Sequence, residues 1–299
     1  MQLDSRPVLA FGTAGAQGSG VVPALLSHAA VPVRASHRHD RAQQWQDAGE
    51  QSVVADLADT ASVLAAANES GAVAVIAHVP LAMGPEAAKA VGSFLALREA
   101  GLPVTVNTGS PTAPEGAPDP FGTRPMTQAL LGAGVTVLTP TGYLENHAAP
   151  WATPRIPAGE LIYPRPAADA LAWIAAGDMG RAAAAALAAD IQGELLALAG
   201  PQLLTFDELA AELGAGLGTE LRFVRITPAE YGAAVRPFLG EQGAAGVEAA
   251  YASMPEGRNP GFDPPEAAGN WQRLGVTPTR AREWAAQVLA PVMSASAAH

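Results

Sequence analysis

The sequence predicts an α/β fold built on a doubly wound parallel sheet, with a smaller C-terminal α/β lobe. Three observations carry that prediction. The apolar run Val8 to Phe11 leads into glycines at 12, 15 and 18, and an amphipathic run follows from Val21 to Leu26. Apolar strand patterns then alternate with helical ones through the first half of the chain, the arrangement that gives parallel strands with right-handed crossovers. Within that series Ala72 to Ala77 is continuously apolar, as expected of a strand covered on both faces.

The opening strand, glycine turn and helix read as the start of a dinucleotide-binding, Rossmann-type unit. Gly12 permits a sharp turn at the strand end, Gly15 leaves room for a pyrophosphate, and Gly18 allows close helix packing. The segment Gly12-Thr13-Ala14-Gly15-Ala16-Gln17-Gly18 is therefore the expected phosphate cradle. The free N–H groups of the helix that follows favour the same anion. Spaced glycines alone are a weak signal in a chain with 31 of them; their position directly after an N-terminal strand strengthens it.

The remaining elements follow in order. Val31 to Ser36 is a second strand, Asp40 to Ala48 a polar helix, and Ser52 to Ala55 a short third strand ending at Asp56. Thr60 to Ala67 is helical. A helix from about Pro85 to Ala100 uses Pro85 in its first turn. Leu102 to Val106 is a fifth strand, Met126 to Ala133 a helix and Val135 to Leu138 a sixth strand. Thr139 to Pro166, rich in Pro, Thr and aromatics, reads as a loop or lobe segment. Asp178 is a candidate cap for an alanine-rich helix from Met179 to Ala188, and Leu195 to Leu198 reads as one more strand. Thr205-Phe206-Asp207-Glu208 and Thr227-Pro228-Ala229-Glu230 are capping boxes flanking an alternating strand, Leu221 to Ile226. Pro255 to Pro265 is a turn-rich loop, and Thr277-Pro278 opens a last amphipathic helix bearing Trp284 and Leu289. Residues 1–139, joined by about 167–200, are expected to form the nucleotide-binding domain; 140–166 and 201–299 form the smaller lobe.

Composition excludes several classes of function. A net charge of −11 without a basic cluster argues against nucleic acid or an anionic membrane surface as a partner. The absence of cysteine removes disulfides, thiolate nucleophiles and cysteine-held metals. The six histidines, at 28, 37, 39, 78, 147 and 299, show no metal-binding helical spacing with Glu. No run of membrane-spanning length and no signal-peptide pattern is found, so a cytoplasmic protein is expected.

These motifs together resemble the NmrA-like branch of the atypical short-chain dehydrogenases, which includes the type-2 NADPH–quinone oxidoreductases. The glycine turn is similar to the family's Gly-x-x-Gly-x-x-Gly. Val33-Arg34-Ala35-Ser36-His37-Arg38 resembles its second strand, Ala55-Asp56-Leu57-Ala58-Asp59 its third-strand segment, and Gly142-Tyr143-Leu144-Glu145-Asn146 its aromatic-x-Glu-Asn segment. Thr205 to Gly214 matches its late Leu-Thr-x-x-Glu-Leu-Ala helix. The resemblance implies an NAD(P)H-binding oxidoreductase acting on a small, quinone-like acceptor.

Residue by residue, strand two ends Ser36-His37-Arg38, without the carboxylate that would bind the NAD ribose. Arg38, with His37 or Arg34 adding positive potential, is a candidate for the 2′-phosphate, so NADP(H) is expected over NAD(H); a solvated surface arginine is the alternative. Asp56 by analogy lies beside the adenine, or it caps the next helix. The end of strand four, Ala77-His78-Val79-Pro80, lies where ligands approach such sheets. His78 departs from the small hydroxyl residues usual in the family. It lines the nicotinamide ribose, donates a proton near neutral pH, or is structural. Ser110, after strand five, is a further candidate for substrate contact.

None of the four tyrosines has lysine four places on; the residues there are His147, Ala167, Val235 and Pro255, and Lys89 is the chain's single lysine. The Tyr-x-x-x-Lys pair of conventional short-chain dehydrogenases is absent. Quinone reduction asks less of the protein, because hydride goes to an electrophilic ring and water supplies the proton. Tyr143 and Asn146 are the candidates beside the nicotinamide. The alternative reading is an NADP-binding redox sensor that acts through a protein partner without turnover; a homodimer is compatible with either.

Overall fold

The computed structural model describes residues 1–79, 86–112, 115–116, 119, 123–257 and 265–297. Seven strands form the central sheet: β1 (Pro7–Phe11), β2 (Val31–Ser36), β3 (Gln51–Val54), β4 (Ala74–His78), β5 (Val104–Asn107), β6 (Thr136–Pro140) and β9 (Leu195–Leu198). Their spatial order is β3-β2-β1-β4-β5-β6-β9, and each neighbouring pair is parallel. The order reverses between β1 and β4, the switch point at whose carboxyl edge such sheets take ligands.

The period of two along each strand decides which side chain meets which layer. Val8, Ala10, Ala74 and Ile76 face α1 (Val21–Ser27) and α6 (Ala176–Ala188). Leu9, Phe11, Val75 and Ala77 face α3 (Thr60–Glu69), α4 (Glu86–Glu99) and α5 (Thr123–Gly132), through Val63, Phe94, Leu97 and Leu130. The alanine tract of α6 is buried almost throughout; its small side chains let the helix lie close to the sheet. It also lies close to α1: a Cβ on Gly180 would sit 2.1 Å from the Gly20 carbonyl oxygen.

The smaller lobe has its own core around Leu161, Leu171, Trp173, Phe206, Leu209, Leu213 and Trp284. Its strands pair in twos: β7 (Glu160–Tyr163) runs parallel to β11 (Arg222–Arg225), and β8 (Ala170–Ala172) runs antiparallel to β10 (Leu203–Thr205). Ile174, two residues beyond β8, already belongs to the core of the sheet half. Both expected capping boxes form, at Thr205 with Glu208 for α7 (Phe206–Leu217) and at Thr227 with Glu230 for α8 (Pro228–Ser253). Helix α8 breaks direction at Gly240, whose φ is 70°. Helix α9 (Ala267–Leu274) docks on β9, with Trp271 Nε1 donating to the Ala199 carbonyl at 2.7 Å.

Several expectations are corrected. Of the two readings of 139–166, loop or lobe segment, the structure favours the second: β7 forms within it, and its buried Leu161 and Tyr163 pair along β11, a partner some sixty residues away. Asp178 does not cap α6, which begins at Ala176. It is fully buried and accepts from the Thr279 N–H and hydroxyl, both at 2.7 Å, and from Arg181. The last helix starts at Ala281 as α10 (Ala281–Trp284), its first turn held by the Arg280 N–H on Glu283. It continues through a π-helical turn into α11 (Ala290–Ala297). The helix expected from Pro85 starts outside the described residues, as do Pro80 and most of the expected loop after Gly257. Among the described residues no helix is long and apolar enough to cross a membrane.

Candidate functional site

The glycine turn stands at the end of β1. Gly12 has φ +75°, and a Cβ there would lie 2.4 Å from the His78 carbonyl oxygen, so the turn hugs the end of β4. Gly18 closes a short 3-10 turn, Ala16–Gly18, that folds back on the strand end; a Cβ on it would meet the Gly12 carbonyl at 2.1 Å. Close packing is thus made to the turn itself. Gly15 differs: an added Cβ would meet nothing within 4 Å. Ala14, Gly15 and Ala16 are exposed, whereas Thr13 and Gly18 are buried. The loop presents open backbone, fixed from below, to whatever binds above it. That is the surface a pyrophosphate requires.

Arg34 fixes the loop. Its Nε donates to Thr13 Oγ1 at 3.1 Å and its Nη2 to the Thr13 carbonyl at 3.3 Å, while Nη1 pairs with Glu50 at 2.5 Å. The guanidinium also lies 3.8 Å from the centre of the Trp45 ring, a cation–π contact. Arg34 therefore adds no unpaired charge for a phosphate.

Arg38 and His37 are exposed beyond the end of β2. The expectation of a strand end free of carboxylates needs correction in space: Asp40, two residues on, takes Arg38 Nη2 at 2.5 Å and Nε at 3.2 Å. Their hydrogen bond, and then their charges, raise the Arg38 pKa. Asp56 is exposed after β3, and its Oδ1 accepts from the Ala58 N–H at 2.9 Å. The cap of α3 is Asp59, which accepts from the N–H groups of Ala61 and Ser62.

At the end of β4, Ala77 and Val79 turn their side chains into the core under α3–α5. His78 is 4% exposed, and its Nδ1 has no partner. Burial pulls its pKa down to about 4, so at neutral pH it is an uncharged imidazole and not an imidazolium acid. Its ring meets Tyr143 edge-on, with centroids 6.4 Å apart.

Tyr143 is 1% exposed and its hydroxyl accepts from Asn107 Nδ2 at 2.8 Å. Asn107 ends β5, and its Oδ1 accepts from the Gly109 N–H at 2.9 Å. One amide thus sets both the phenol and the loop that carries Ser110. Burial raises the Tyr143 pKa, so the phenol is a weak acid. Glu145, next on the same segment, bridges the two halves: Oε2 accepts from the Ala176 N–H at 2.9 Å and Oε1 from Trp284 Nε1 at 2.8 Å. Burial pushes its carboxyl up to about 7, against the pull of these two donors.

A cleft runs from Gln17 of the glycine loop past Gly109 and Ser110 to Tyr143 and Asn146, and on to Tyr163, Arg165, Tyr251 and Met254 of the lobe. It unites Gln17, Ser110, Tyr143 and Asn146, all four named from the sequence. The lobe residues were invisible in the sequence: Tyr163 and Tyr251 stand 88 positions apart and carry no motif. Asn107 was legible in principle, as a polar residue at a strand's carboxyl end. His37, Arg38 and Asp56 lie outside this cleft, beside β2 and β3. Among the described residues no group of three or more His, Cys, Asp or Glu side chains is placed to hold a metal ion.

No protein-family model matches the sequence, and no curated protein matches it. Solved structures do. An NADPH-dependent quinone oxidoreductase (QOR2) from Escherichia coli, complexed with NADPH, superposes with a TM-score of 0.68 at 21% identity, over 94% of this chain and 99% of that one. The triphenylmethane reductase of Citrobacter sp., complexed with NADP(H), gives 0.70 at 17% identity, over 95% and 99%. A substituted form of NmrA gives 0.69 at 17%, over 99% and 98%. Over nearly its whole length, the chain has the Rossmann-type α/β fold of these nucleotide-binding reductases and of NmrA.

Proposed function

We propose that this chain is an NmrA-like atypical short-chain reductase that uses NADPH to reduce a small, quinone-like acceptor. The observation that carries this is the cleft itself. It begins at the glycine loop, passes the carboxyl edge of β5 and β6, and ends against aromatic side chains of the lobe. A nucleotide lying on the open backbone at Gly15 would bring its reactive ring toward Tyr143 and Asn146. The glycine loop fits such a cofactor, because Gly12 and Gly18 are filled from below and Gly15 is clear above. The solved relatives carrying NADPH or NADP(H) share this fold.

In this reading the cofactor supplies the hydride. Backbone at Gly15 to Gln17 holds the pyrophosphate, Arg38 the 2′-phosphate and Asp56 the adenine side. His78 and Ser110 flank the nicotinamide end, and Tyr143 and Asn146 orient its ring. With Tyr143 a weak acid and His78 uncharged, water brings the proton. In this reading residues 1–139, joined by 174–200 and by α9 packed on β9, serve the nucleotide, while 140–173, which takes in the first part of the expected 167–200 segment, and most of 201–257 and 275–297 serve the acceptor. The protein works in the cytoplasm.

The test is a calorimetric titration with NADPH and NADH, followed by NADPH absorbance against a quinone panel. Tight NADPH binding with quinone turnover is expected. Failure to bind either nucleotide overturns the reading. Tight binding without turnover on any acceptor selects the redox-sensor alternative.

A further inference from the structure

At the lobe end of the cleft, Tyr163 of β7 and Tyr251 of α8 bring their hydroxyl oxygens to 2.5 Å. Tyr163 cannot move: its ring stacks on Phe206 at 5.2 Å and meets Trp173, His147, Tyr231 and Tyr251 within 5.5 Å. Two hydroxyls hold two protons, and the bond between them uses one. The Asn146 side chain also hydrogen-bonds the Tyr163 oxygen; with that oxygen accepting from Asn146, one O–H of the pair is left over, and all three side chains line the cleft. Across the same cleft Ser110, 3% exposed, has an Oγ with no partner. A buried polar group without a partner costs stability unless something else completes it. The Arg165 guanidinium holds this wall in place: it pairs with Asp169 at 2.5 Å and donates to the carbonyls of Met254 and Pro255, at 3.2 and 2.5 Å.

We propose that the Tyr163–Tyr251 hydroxyl pair is the hydrogen-bond donor that receives a carbonyl oxygen of the acceptor, and so selects quinones and other conjugated carbonyls over acceptors without such an oxygen. This rests on the reductase reading. In the balanced step, hydride brings two electrons and one hydrogen from NADPH to the acceptor. The displaced π electrons of the acceptor collect on the oxygen facing the pair. Water protonates that oxygen and leaves as hydroxide, and tautomerisation of the ring, which moves the added hydrogen from carbon to the second oxygen, gives the dihydroxy product beside NADP⁺. The pair's part is to hold and stabilise the oxygen as it gains charge; burial raises both phenol pKa values, which suits donors that keep their protons.

The test combines Tyr163→Phe with Tyr251→Phe, which keeps both rings and their packing while removing both hydroxyls. Binding of 1,4-hydroquinone to protein without nucleotide is measured by calorimetry. KM is then compared for 1,4-benzoquinone and for a cationic triarylmethane dye, which has no carbonyl. Loss of one neutral hydrogen bond predicts about three- to tenfold weaker hydroquinone binding. The KM ratio of quinone to dye should rise by a similar factor, with melting temperature and NADPH affinity unchanged. Unchanged hydroquinone affinity, equal losses for quinone and dye, or a wild type that binds no hydroquinone overturns the proposal. Failure of NADPH to bind wild type overturns the reductase reading instead, and the hydroquinone titration still decides the role of the pair. Should the double variant unfold, wild-type binding of 1,4-hydroquinone is compared with that of p-xylene, which has the same ring and no oxygen; equal affinity for the two overturns the proposal.

Discussion

Asp40 Oδ2 sits 2.5 Å from Arg38 Nη2, just beyond the end of β2, where the proposed reading puts the 2′-phosphate of NADPH. The guanidinium that the sequence offers to a phosphate is thus already held by a carboxylate. Both side chains are more than half exposed, at 54% and 58%, so the pair is screened and exchangeable. A 2′-phosphate would have to displace Asp40 from the fork or share the fork with it.

Cofactor selectivity should therefore respond to both partners. Arg38→Ala is expected to weaken NADPH by about tenfold, the lower end for a charge-assisted contact, and to leave NADH nearly unchanged. Asp40→Asn is expected to tighten NADPH severalfold, because it frees the fork and removes a like charge. Titrations at low and high salt check both. Equal weakening of the two nucleotides in Arg38→Ala would assign Arg38 a structural role.

The second and third glycines of the turn should fail differently. Gly15→Val adds atoms where nothing lies within 4 Å, so the fold should survive while nucleotide affinity is lost. Gly18→Ala drives a Cβ against the Gly12 carbonyl oxygen, so the melting temperature should fall first. Thermal denaturation alongside nucleotide titration separates the two. A Gly15→Val protein that binds NADPH normally would remove the loop from the site.

The pH dependence of stability has a defined sign. Burial depresses His147 to about 3 and His78 to about 4, below the value of about 6.5 in the unfolded chain. Their stabilisation is complete above that value and is lost as pH falls, by about 1.4 kcal/mol per pH unit for each imidazole. Glu145 runs the other way. Its carboxyl is raised to about 7, so its contribution falls as pH rises from its unfolded value toward 7. Both ring nitrogens of His147 lack a partner, and the ring lies 4.7 Å from Trp173. His147→Phe should be no less stable than wild type at pH 7.5, and should gain on it steadily below pH 6.5. Parallel curves in urea denaturation at pH 5 and 7.5 would show that His147 is already charged in the fold.

Tyr143→Phe tests the source of the proton. The phenol is buried and its oxygen is held by Asn107, so it orients more than it ionises. Quinone turnover should fall about two- to tenfold, the worth of one hydrogen bond, and simple secondary alcohols should not be oxidised by the wild type. Complete loss of turnover in Tyr143→Phe, with NADPH binding intact, would make the tyrosine an obligatory acid.

The sequence by itself determined the sheet half. Strands such as Val31–Ser36 and Leu195–Leu198 have the bounds their patterns predict, because a short run rich in apolar residues and bounded by turn residues specifies an extended segment locally. The capping boxes at Thr205 and Thr227 were equally legible, since a cap is a bond between residues three apart. Only the tertiary structure decided the rest. Asp178 looked like a local cap, yet its partner is Thr279. Arg38 looked free until the chain turned Asp40 back onto it. The strand at Glu160–Tyr163 exists because β11 pairs with it, and the hydroxyl pair at the end of the cleft joins β7 to α8. Local pattern specifies backbone hydrogen bonds between near neighbours; which distant side chains share a buried polar site depends on how the layers pack.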